Sequence, residues 1–432
     1  MSADQKAQRN QAPWRELFRD SPGLGSVLVT DALATLAELA SAVVVPWWIT
    51  TLGGTAAIAA YGIALAAATL IVVPAVSPFG DRFCKASQMR NGLAGLAVVS
   101  FALAWCSTRT FALLPVMALV LAKVLARAFV EPAQSAILPE LVAPPKLPQA
   151  IRLQKTCRAI SGVLGPMLAG ALLSLAGVPP TMAACAALTS LAAISALLIP
   201  RARGKQVGIR MRDWWQDLRI GARAKWGVPM ERGWTIVNFV VWIFQGPAVG
   251  ILIPIKVHAL GLTGNWLGVA IGALSVGVLV GSFIGSSLLV RRFGRYRVRI
   301  GLGCLEGVCL ALVGFATSPY AMAAGLVLAG FCNASMALVG ATHRALAIPK
   351  SYRVRMLASG SVSTQVAGAI GPALVGVALA RWSVPVVYAT FGALMASSVL
   401  GFLLVPRFKE FLTLEHEHIE DWYALQYPHV FV

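Results

Sequence analysis

Charged side chains are scarce in this sequence. Asp, Glu, Lys and Arg together make up 12% of its 432 residues, whereas hydrophobic residues make up 58%, and the mean hydropathy is +0.75. In a soluble domain roughly a quarter of the residues are charged, so the composition excludes an ordinary soluble protein. The long apolar runs are rich in Ala, Leu and Gly and lack the alternation of apolar and polar residues found in membrane β-barrels. We therefore predict an all-α integral membrane protein.

Acidic residues are the scarcer charge, with 17 Asp and Glu against 36 Lys and Arg, which gives a formal net charge of +19. Such a balance is often a sign of nucleic-acid binding. Here, however, the cations fall in short clusters between apolar runs rather than on a folded basic face. The sequence therefore predicts a lipid bilayer, and no nucleic acid, as the partner of these charges.

Signatures of catalysis are also missing. The seven cysteines have no metal-ligand spacing, and the sequence contains no Walker A motif, no zinc motif of His and Glu, and no Ser-centred elbow. We predict that the chain is not an enzyme, that it needs no cofactor, and that it has no metal site.

Apolar runs of the length that spans a bilayer, about 20 residues, recur along the whole chain. They lie approximately at 24–50, 56–79, 90–108, 111–131, 152–176, 179–199, 233–255, 266–290, 300–317, 320–342, 357–380 and 384–405. The breaks between them alternate between basic segments and short segments nearly free of cations. By the positive-inside rule the basic segments are cytoplasmic, and their alternation supports twelve spans with both termini in the cytoplasm. We expect the protein to lie in a cell inner membrane.

The longest break, 201–232, divides the chain near its middle and contains Trp, Leu and Ile among Arg and Lys. That pattern is typical of a basic amphipathic helix on the inner leaflet. For the acidic and His-containing C-terminal segment we expect a solvated cytoplasmic tail rather than a metal site. The predicted organisation is a cytoplasmic segment 1–23, a six-helix bundle 24–199, a linker 200–232, a six-helix bundle 233–405 and a cytoplasmic tail 406–432.

The two predicted bundles share motifs at a nearly constant offset. The run Gly162-x-x-Gly165-Pro166-x-x-x-Gly170 recurs as Gly368-x-x-Gly371-Pro372-x-x-x-Gly376, and Val45-Pro46 recurs as Ile253-Pro254. Parallel repeats of six helices place a binding site at the repeat interface, and transport follows from rocking one half against the other.

The loop at 81–85 (Asp-Arg-Phe-Cys-Lys) and its second copy around Arg292 complete a resemblance to the major facilitator superfamily. The resemblance covers nearly the whole chain and implies twelve helices in two six-helix pseudo-repeats. Ser77 and Cys84 replace two glycines of the family's loop motif. By this resemblance the residues that help to set inward and outward states are Asp81, Arg82, Arg292, Gly165, Pro166, Gly371 and Pro372.

A narrower resemblance concerns residues 131–142 (Glu-Pro-Ala-Gln-Ser-Ala-Ile-Leu-Pro-Glu-Leu-Val), together with Glu38, eight residues before Pro46. These segments are similar to the enterobactin-exporter-like and macrolide-efflux-like transporters. The Gly165-Pro166 run in the fifth span resembles the superfamily's exporter-associated motif, and these resemblances favour export over import.

Two acids, Asp31 and Glu38, lie within the first apolar run. Their separation of seven residues is close to two helical turns, so they share one face. The fourth run carries Lys123, Arg127 and Glu131 in a second stripe. Ionisable side chains at membrane depth cost about 2.5–3.5 kcal/mol each on insertion scales and usually face a cavity or a partner. Because the two helices run in opposite directions, we expect Lys123 to lie level with Asp31.

These stripes allow two interpretations. In the first, Glu38 or Asp31 is a proton-coupling carboxyl whose affinity for a proton responds to a nearby cation. In the second, Asp31 forms a fixed salt bridge with Lys123 or Arg127 that joins the two helices. The sequence leaves both open.

Neutral polar residues dominate the second bundle. Hydrogen bonding to substrate and polar contact between helices are alternatives for each of them, and Glu306, His343 and Arg344 are expected to be structural or interfacial. If Arg158 faces inward, it joins Lys123 and Arg127 in a cationic vestibule that favours an anionic substrate. The predicted substrate-binding residues are Lys123, Arg127, Asn238, Trp242, Gln245, Asn333, Gln365, Arg158 and Tyr61.

The function that these observations favour is proton-coupled export, by alternating access, of a small amphipathic or anionic metabolite such as a siderophore. A monomer is expected. The alternatives of the same fold are a multidrug or macrolide efflux pump and a lysophospholipid flippase. The alternative outside that class is a non-transporting receptor or scaffold, which has no need of paired charges within two helices.

Overall fold

A computed structural model describes residues 14–80, 84–143, 146–200, 211–340, 344, 347–414, 419 and 421–431. Every regular element in these residues is helical, as the composition predicts. Asp81 and Arg82, two of the predicted gating residues, lie outside the described residues, as do the acids and histidines of 415–418.

The helices are numbered in chain order. They are α1 Trp14–Asp20, α2 Leu24–Gly80, α3 Lys85–Ser107, α4 Leu113–Ala136, α5 Leu138–Leu141, α6 Leu147–Ala176, α7 Val178–Leu197, α8 Met211–Gly227, α9 Pro229–Val249, α10 Leu252–Ala259, α11 Gly264–Val280, α12 Ser286–Phe293, α13 Arg295–Phe315, α14 Pro319–Leu338, α15 Lys350–Leu379, α16 Val384–Val399, α17 Phe408–Thr413 and α18 Trp422–Gln426. A π-helical turn, Gly281–Gly285, joins α11 to α12, and 3₁₀ turns lie at Leu400–Leu404 and Pro428–Val430.

Among the described residues, eleven helical segments are long and apolar enough to cross a membrane, and a shorter apolar segment lies at Ala56–Thr69. Together they correspond to the twelve predicted spans. The first two spans are continuous in α2 except at Gly54, whose φ of 74° and ψ of −172° break the helix. Glycine adopts this backbone without the steric cost that a Cβ brings. The all-α fold with twelve membrane-spanning segments is therefore confirmed.

Contacts divide the chain into two compact units. The first comprises Met1–Val44 and Ile71–Ile209, and the second comprises Val45–Leu70 and Arg210–Val432. The segment Val45–Leu70, which the sequence assigns to the first bundle, thus has its contacts in the second unit. There the Trp47 ring meets His258 edge-on at 6.2 Å, and a Cβ added at Gly62 would lie 2.9 Å from Cβ of Pro372.

In the first unit, α3 packs against α4 and α7. Leu93 and Val130 are fully buried there, and a Cβ added at Gly92 would lie 2.5 Å from a Val130 methyl group. Gln88 donates a hydrogen bond of 2.7 Å from Nε2 to the Phe129 carbonyl oxygen. Small residues that let helices approach closely, joined by occasional polar contacts, are the usual basis of helix packing in membranes.

The second unit uses glycine in the same way. A Cβ added at Gly307 or Gly314 of α13 would lie within 2.5–2.6 Å of backbone nitrogens of α16. At Gly330 of α14, an added Cβ would lie 2.1 Å from the Leu274 carbonyl oxygen of α11. These helix pairs therefore cannot keep their spacing with any larger residue at these positions.

The two Gly-Pro motifs make equivalent contacts. A Cβ added at Gly165 would lie 2.9 Å from the Leu36 carbonyl oxygen, and one added at Gly371 would lie 2.6 Å from the Ile243 carbonyl oxygen. Leu36 and Ile243 are separated by nearly the same number of residues as the two glycines. The motif repeated in the sequence is thus a helix-crossing point in each unit.

Several aromatic side chains of the C-terminal segment are buried. Tyr423 and Phe411 are fully buried and Trp422 is 4% exposed. The Phe408 ring stacks on Phe402 at 4.9 Å. The expectation of a solvated tail is wrong for these residues, because the segment supplies aromatic side chains that pack together and that the acids and histidines around them obscured.

Candidate functional site

Asp31 is almost fully buried in α2 and is held by Arg158 of α6. Arg158 donates from Nε to Oδ2 at 2.5 Å and from Nη2 to Oδ1 at 2.8 Å. A two-point guanidinium–carboxylate contact is among the stronger and more directional ion pairs in proteins. Arg158 therefore serves as the fixed partner of Asp31, a pairing that the sequence did not predict.

Glu38 has a different environment. Its Oε2 lies 3.4 Å from Nζ of Lys123, and the side chains are 34% and 15% exposed, respectively. Lys123 also donates a hydrogen bond of 2.7 Å to Oγ of Ser41. Lys123 thus contacts Glu38. The sequence had predicted that Lys123 would lie level with Asp31 instead.

Arg127 completes the cationic side of this pair. It lies near enough to Glu38 for an electrostatic interaction and its side chain is half-buried. Glu131, the third member of the stripe on α4, is exposed and interacts electrostatically with Arg158. The first unit therefore has two separate acid–cation groups, a buried one at Asp31 and a more open one at Glu38.

In the second unit, Gln245 and Asn333 meet at a third acid. Gln245 donates from Nε2 to Oε1 of Glu306 at 2.6 Å, and Asn333 donates from Nδ2 to the same oxygen at 3.0 Å. Glu306 is fully buried in α13. These contacts join α9, α13 and α14, so each of the two predicted substrate-binding amides has a partner within the helices.

Asn238 and Trp242, predicted to share a face of α9 with Gln245, line a cavity of about 330 Å³ in the second unit. Sites for small molecules usually begin at about this volume. The cavity is lined by Lys225, Trp234, Thr235, Asn238, Phe239, Trp242, Arg299, Ala337, Arg344, Gly360, Ser363 and Thr364.

A buried ionic cluster closes one side of this cavity. Arg344 donates from Nε to both carboxylate oxygens of Glu231, at 2.8 and 2.9 Å, and the Tyr423 hydroxyl donates to Glu231 Oε2 at 3.0 Å. Nζ of Lys225 lies 3.7 Å from Glu231 Oε1. Burial and the neighbouring Arg344 lower the pKa of Lys225 to about 8, although Glu231 opposes this shift.

Arg299 reaches the cavity from α13. It donates from Nη1 to the Met336 carbonyl oxygen at 2.8 Å and from Nη2 to Asn238 Oδ1 at 3.0 Å. Its guanidinium carbon lies 5.3 Å from the centre of the Trp234 ring, a distance typical of a cation–π contact. Both hydrogen-bond acceptors are neutral.

The other predicted residues are more dispersed. Tyr61 is buried, Gln365 is half-buried on α15, and Arg292 is exposed with its guanidinium over the Phe293 ring. Pro166 and Pro372 are buried beside their glycines at the crossing points.

Sequence reasoning missed Lys225, Glu231 and Arg299 as members of a site. Each lies at the border between a basic segment and an apolar run, where cations that anchor a span to the membrane surface are common. The one signal in the sequence was Glu231, a lone acid in the first turn of an apolar helix. In the described part of the chain, no group of three His, Cys, Asp or Glu is placed to hold a metal ion.

Several solved structures share this fold. A peptide transporter of the POT family in complex with sulfate aligns with a TM-score of 0.71, at 11% identity over 94% of this chain and all of that one. A bacterial homologue of the iron transporter ferroportin aligns at 0.69, with 16% identity over 93% of this chain and all of that one. A bacterial homologue of the lysosomal transporter Spinster aligns at 0.64, with 14% identity, over 94% and 97% of the two chains. At such identities the similarity concerns the fold alone.

Among curated proteins, none matches the chain. A family model described as Major Facilitator Superfamily matches residues 27–288 and 234–418, which together span nearly the whole membrane portion. The chain therefore belongs to the Major Facilitator Superfamily and is a multi-pass membrane transporter of small molecules rather than an enzyme.

Proposed function

We propose that this transporter is a proton-coupled exporter of a small anionic or amphipathic metabolite, in which Glu38 is the carboxyl that takes up and releases the proton. It acts as a monomer in the inner membrane, with both termini in the cytoplasm. The observation that carries the proposal is the contrast between the two acids of α2. Asp31 is closed off by a two-point ion pair, whereas Glu38 is a third exposed and lies 3.4 Å from Lys123, with Arg127 nearby.

A coupling carboxyl must exist in both charge states during a transport cycle. Glu38 meets this requirement because its partner Lys123 has a second hydrogen-bond acceptor. When Glu38 is protonated, the Lys123 ammonium keeps its hydrogen bond to Ser41 Oγ. Asp31 is 1% exposed, and its protonation would leave the Arg158 guanidinium without its counterion. Breaking a buried ion pair by removing one partner is strongly destabilising. Glu38 is therefore the better proton site, and Asp31 the structural one.

The direction of transport and the anionic class rest on separate observations. The resemblance of residues 131–142 to efflux transporters supports export. The charges inside the two units support an anion, because Lys123 and Arg127 lie beside Glu38, and Lys225, Arg299 and Arg344 line the cavity of the second unit. A siderophore of the carboxylate or catecholate type fits this pattern, whereas a cationic drug does not.

The test uses purified protein in phosphatidylcholine liposomes with an imposed pH gradient. Labelled 2,3-dihydroxybenzoate serves as the anionic probe, and ethidium, a macrolide and a fluorescent lysophospholipid represent the alternatives. We expect the gradient to drive accumulation of the anionic probe. In Glu38→Gln we expect this accumulation to be lost, while exchange of probe across the membrane at equal pH persists.

Asp31→Asn is the matched variant, because it neutralises the other acid of the same helix face. We expect it to lower the yield of folded protein while the fraction that folds retains gradient-driven accumulation. Gradient-driven accumulation by Glu38→Gln at the rate of the unsubstituted chain would refute the coupling role. Movement of ethidium or lysophospholipid in place of the anion would refute the substrate class, and movement of none of the probes would favour a receptor or scaffold.

A further inference from the structure

We infer that the cavity of the second unit is an oxyanion-binding site, in which Lys225 and Arg299 hold a carboxylate or phosphate group and Trp242 contacts the body of the compound. The proposal that this cavity binds an oxyanion depends only on the residues that line it. Its role as the site of the exported metabolite rests on the proposed function.

The first argument is the charge of the cavity wall. Three cations line it, and the acid that borders them, Glu231, is taken by Arg344 through both of its carboxylate oxygens. Lys225 Nζ stands 3.7 Å from that acid, which is beyond hydrogen-bond distance. Arg299 donates only to neutral acceptors in the contacts described above, and Glu306, an acid that interacts with it electrostatically, accepts its hydrogen bonds from Gln245 and Asn333 instead. Buried charges are normally paired, so the wall holds two cations more weakly compensated than their burial requires.

The second argument is unsatisfied hydrogen-bonding capacity. Lys225 is 2% exposed and Arg299 is 5% exposed. Among the described residues, Nζ of Lys225 and Nε of Arg299 have no hydrogen-bond partner. Buried polar groups without partners are rare in native structures and call for an explanation. An oxyanion offers acceptors for both and neutralises the charge at the same time.

The third argument is the arrangement around the cations. Asn238 uses Oδ1 to accept from Arg299, which leaves the Nδ2 amide group as a donor beside the guanidinium. Ser363 adds a hydroxyl group from α15, and the neighbouring Thr364 hydroxyl donates to the Gly360 carbonyl oxygen at 3.4 Å. Trp234 is buried and contacts Arg299, whereas Trp242 lines the cavity and is 40% exposed. The wall therefore combines donors for an anionic group with an aromatic surface for an apolar or aromatic body.

Gly360 provides a direct way to close the site. A Cβ added at this position would lie 2.7 Å from Nζ of Lys225. Because the clash is with the end of a flexible side chain rather than with backbone, Gly360→Ala displaces the ammonium without preventing helix packing. Lys225 itself is supplied by the linker helix α8, so the segment that joins the two predicted bundles contributes to the site.

The experiment measures binding by titration calorimetry on protein in phosphatidylcholine nanodiscs at pH 7. One arm adds 2,3-dihydroxybenzoate, and a second adds inorganic phosphate. A third exchanges the lipid for phosphatidylglycerol and follows thermal stability, which separates a lipid headgroup from a soluble anion. We expect the aromatic carboxylate to bind more tightly than phosphate.

We expect Lys225→Met and Gly360→Ala each to weaken binding at least tenfold, and Arg299→Gln to do the same where it folds. Arg223→Gln is the matched control, because Arg223 is an exposed cation on the same helix as Lys225; it is expected to bind as the unsubstituted chain. If no oxyanion binds in any arm, or if Lys225→Met and Gly360→Ala both bind normally, the site is refuted.

The two proposals fail in different ways. Loss of binding in Lys225→Met, combined with unimpaired gradient-driven transport in Glu38→Gln, refutes proton coupling at Glu38 and leaves the oxyanion site standing. Normal binding in Lys225→Met, combined with loss of coupling in Glu38→Gln, refutes the oxyanion site and leaves the coupling role standing. Stabilisation by phosphatidylglycerol without binding of either soluble anion supports an oxyanion site for a lipid headgroup and refutes its role in export.

Discussion

Arg158 and Asp31 face each other across α6 and α2 with two parallel hydrogen bonds, although they are 127 positions apart in the chain. The aspartate is almost completely buried, and the arginine side chain is 40% exposed. The pair fixes the crossing of two helices within the first unit at one register.

Replacement of Asp31 is expected to act on stability. Asp31→Asn should lower the free energy of unfolding by about 3 kcal/mol, at the low end of the range for breaking a buried ion pair, because the partner Arg158 retains some access to water. Thermal unfolding in detergent measures the change. Asp20→Asn is the control, since Asp20 forms an exposed ion pair with Lys146, and its removal should leave the melting temperature nearly unchanged. Equal loss in both variants would contradict the buried role of Asp31.

The Gly-Pro crossing points predict a sharp dependence on position. Gly371→Ala places a methyl group against the Ile243 carbonyl oxygen, and Gly165→Ala places one against that of Leu36. Backbone cannot move aside as a side chain end does, so each variant should lower the transport rate at least tenfold and reduce thermal stability.

The same motifs supply the controls for these variants. A Cβ added at Gly368 meets nothing within 4 Å, and one added at Gly162 only touches a Leu39 methyl group at 4.0 Å. Gly368→Ala and Gly162→Ala should therefore transport at the rate of the unsubstituted chain. If all four variants behave alike, helix propensity rather than close contact governs these motifs.

Binding of an oxyanion to the cavity should depend on pH through Lys225. The groups that face its ammonium are Arg344 and Glu231, and Tyr423 faces Glu231 in turn; burial raises the pKa of Tyr423 well above its usual range, so it stays protonated. Because the pKa of Lys225 is lowered to about 8, affinity should be constant below pH 7 and fall as the pH rises through 8. Calorimetric titrations from pH 6 to 9 measure this.

Stability should respond to the same titration with the opposite sign. In the folded chain Lys225 loses its proton near pH 8, whereas in the unfolded chain it keeps it up to its ordinary pKa of 10.5. The unfolded state then binds more protons between these values, so the contribution of Lys225 to stability rises with pH in that window. Lys225→Met should abolish this rise and should melt higher than the unsubstituted chain at pH 7. A lower melting point would show that the ammonium is compensated after all.

The C-terminal segment should stabilise the ionic cluster through one hydroxyl group. Tyr423→Phe removes the donor to Glu231 Oε2 and should cost about 1–3 kcal/mol, because the buried carboxylate oxygen loses a partner. Tyr320→Phe is the control, since Tyr320 is 73% exposed. The loss should appear in thermal unfolding and, through the altered position of Glu231 and Lys225, as weaker oxyanion binding. Unchanged melting of Tyr423→Phe would mean that the segment is anchored by its aromatic packing alone.

The sequence by itself determined the solvent, the number of helices and the repeat. Apolar runs of the length of a bilayer specify helices wherever they occur, because a backbone in lipid must satisfy its own hydrogen bonds. The repeated Gly-Pro runs marked two equivalent crossing points, since only glycine permits backbone to approach within contact distance. These features are local in the chain and therefore legible from it.

Only the tertiary structure decided the partners of the charges. Spacing along a helix shows which residues share a face, but it does not fix the relative height of two helices, and a shift of about two turns moved Lys123 from Asp31 to Glu38. The same applies to Gln245 and Asn333, which meet at Glu306, and to Lys225, which reaches its cavity from a linker helix. Ion pairs and cavities join residues that are far apart in sequence, so their composition depends on how the helices pack and not on any segment alone.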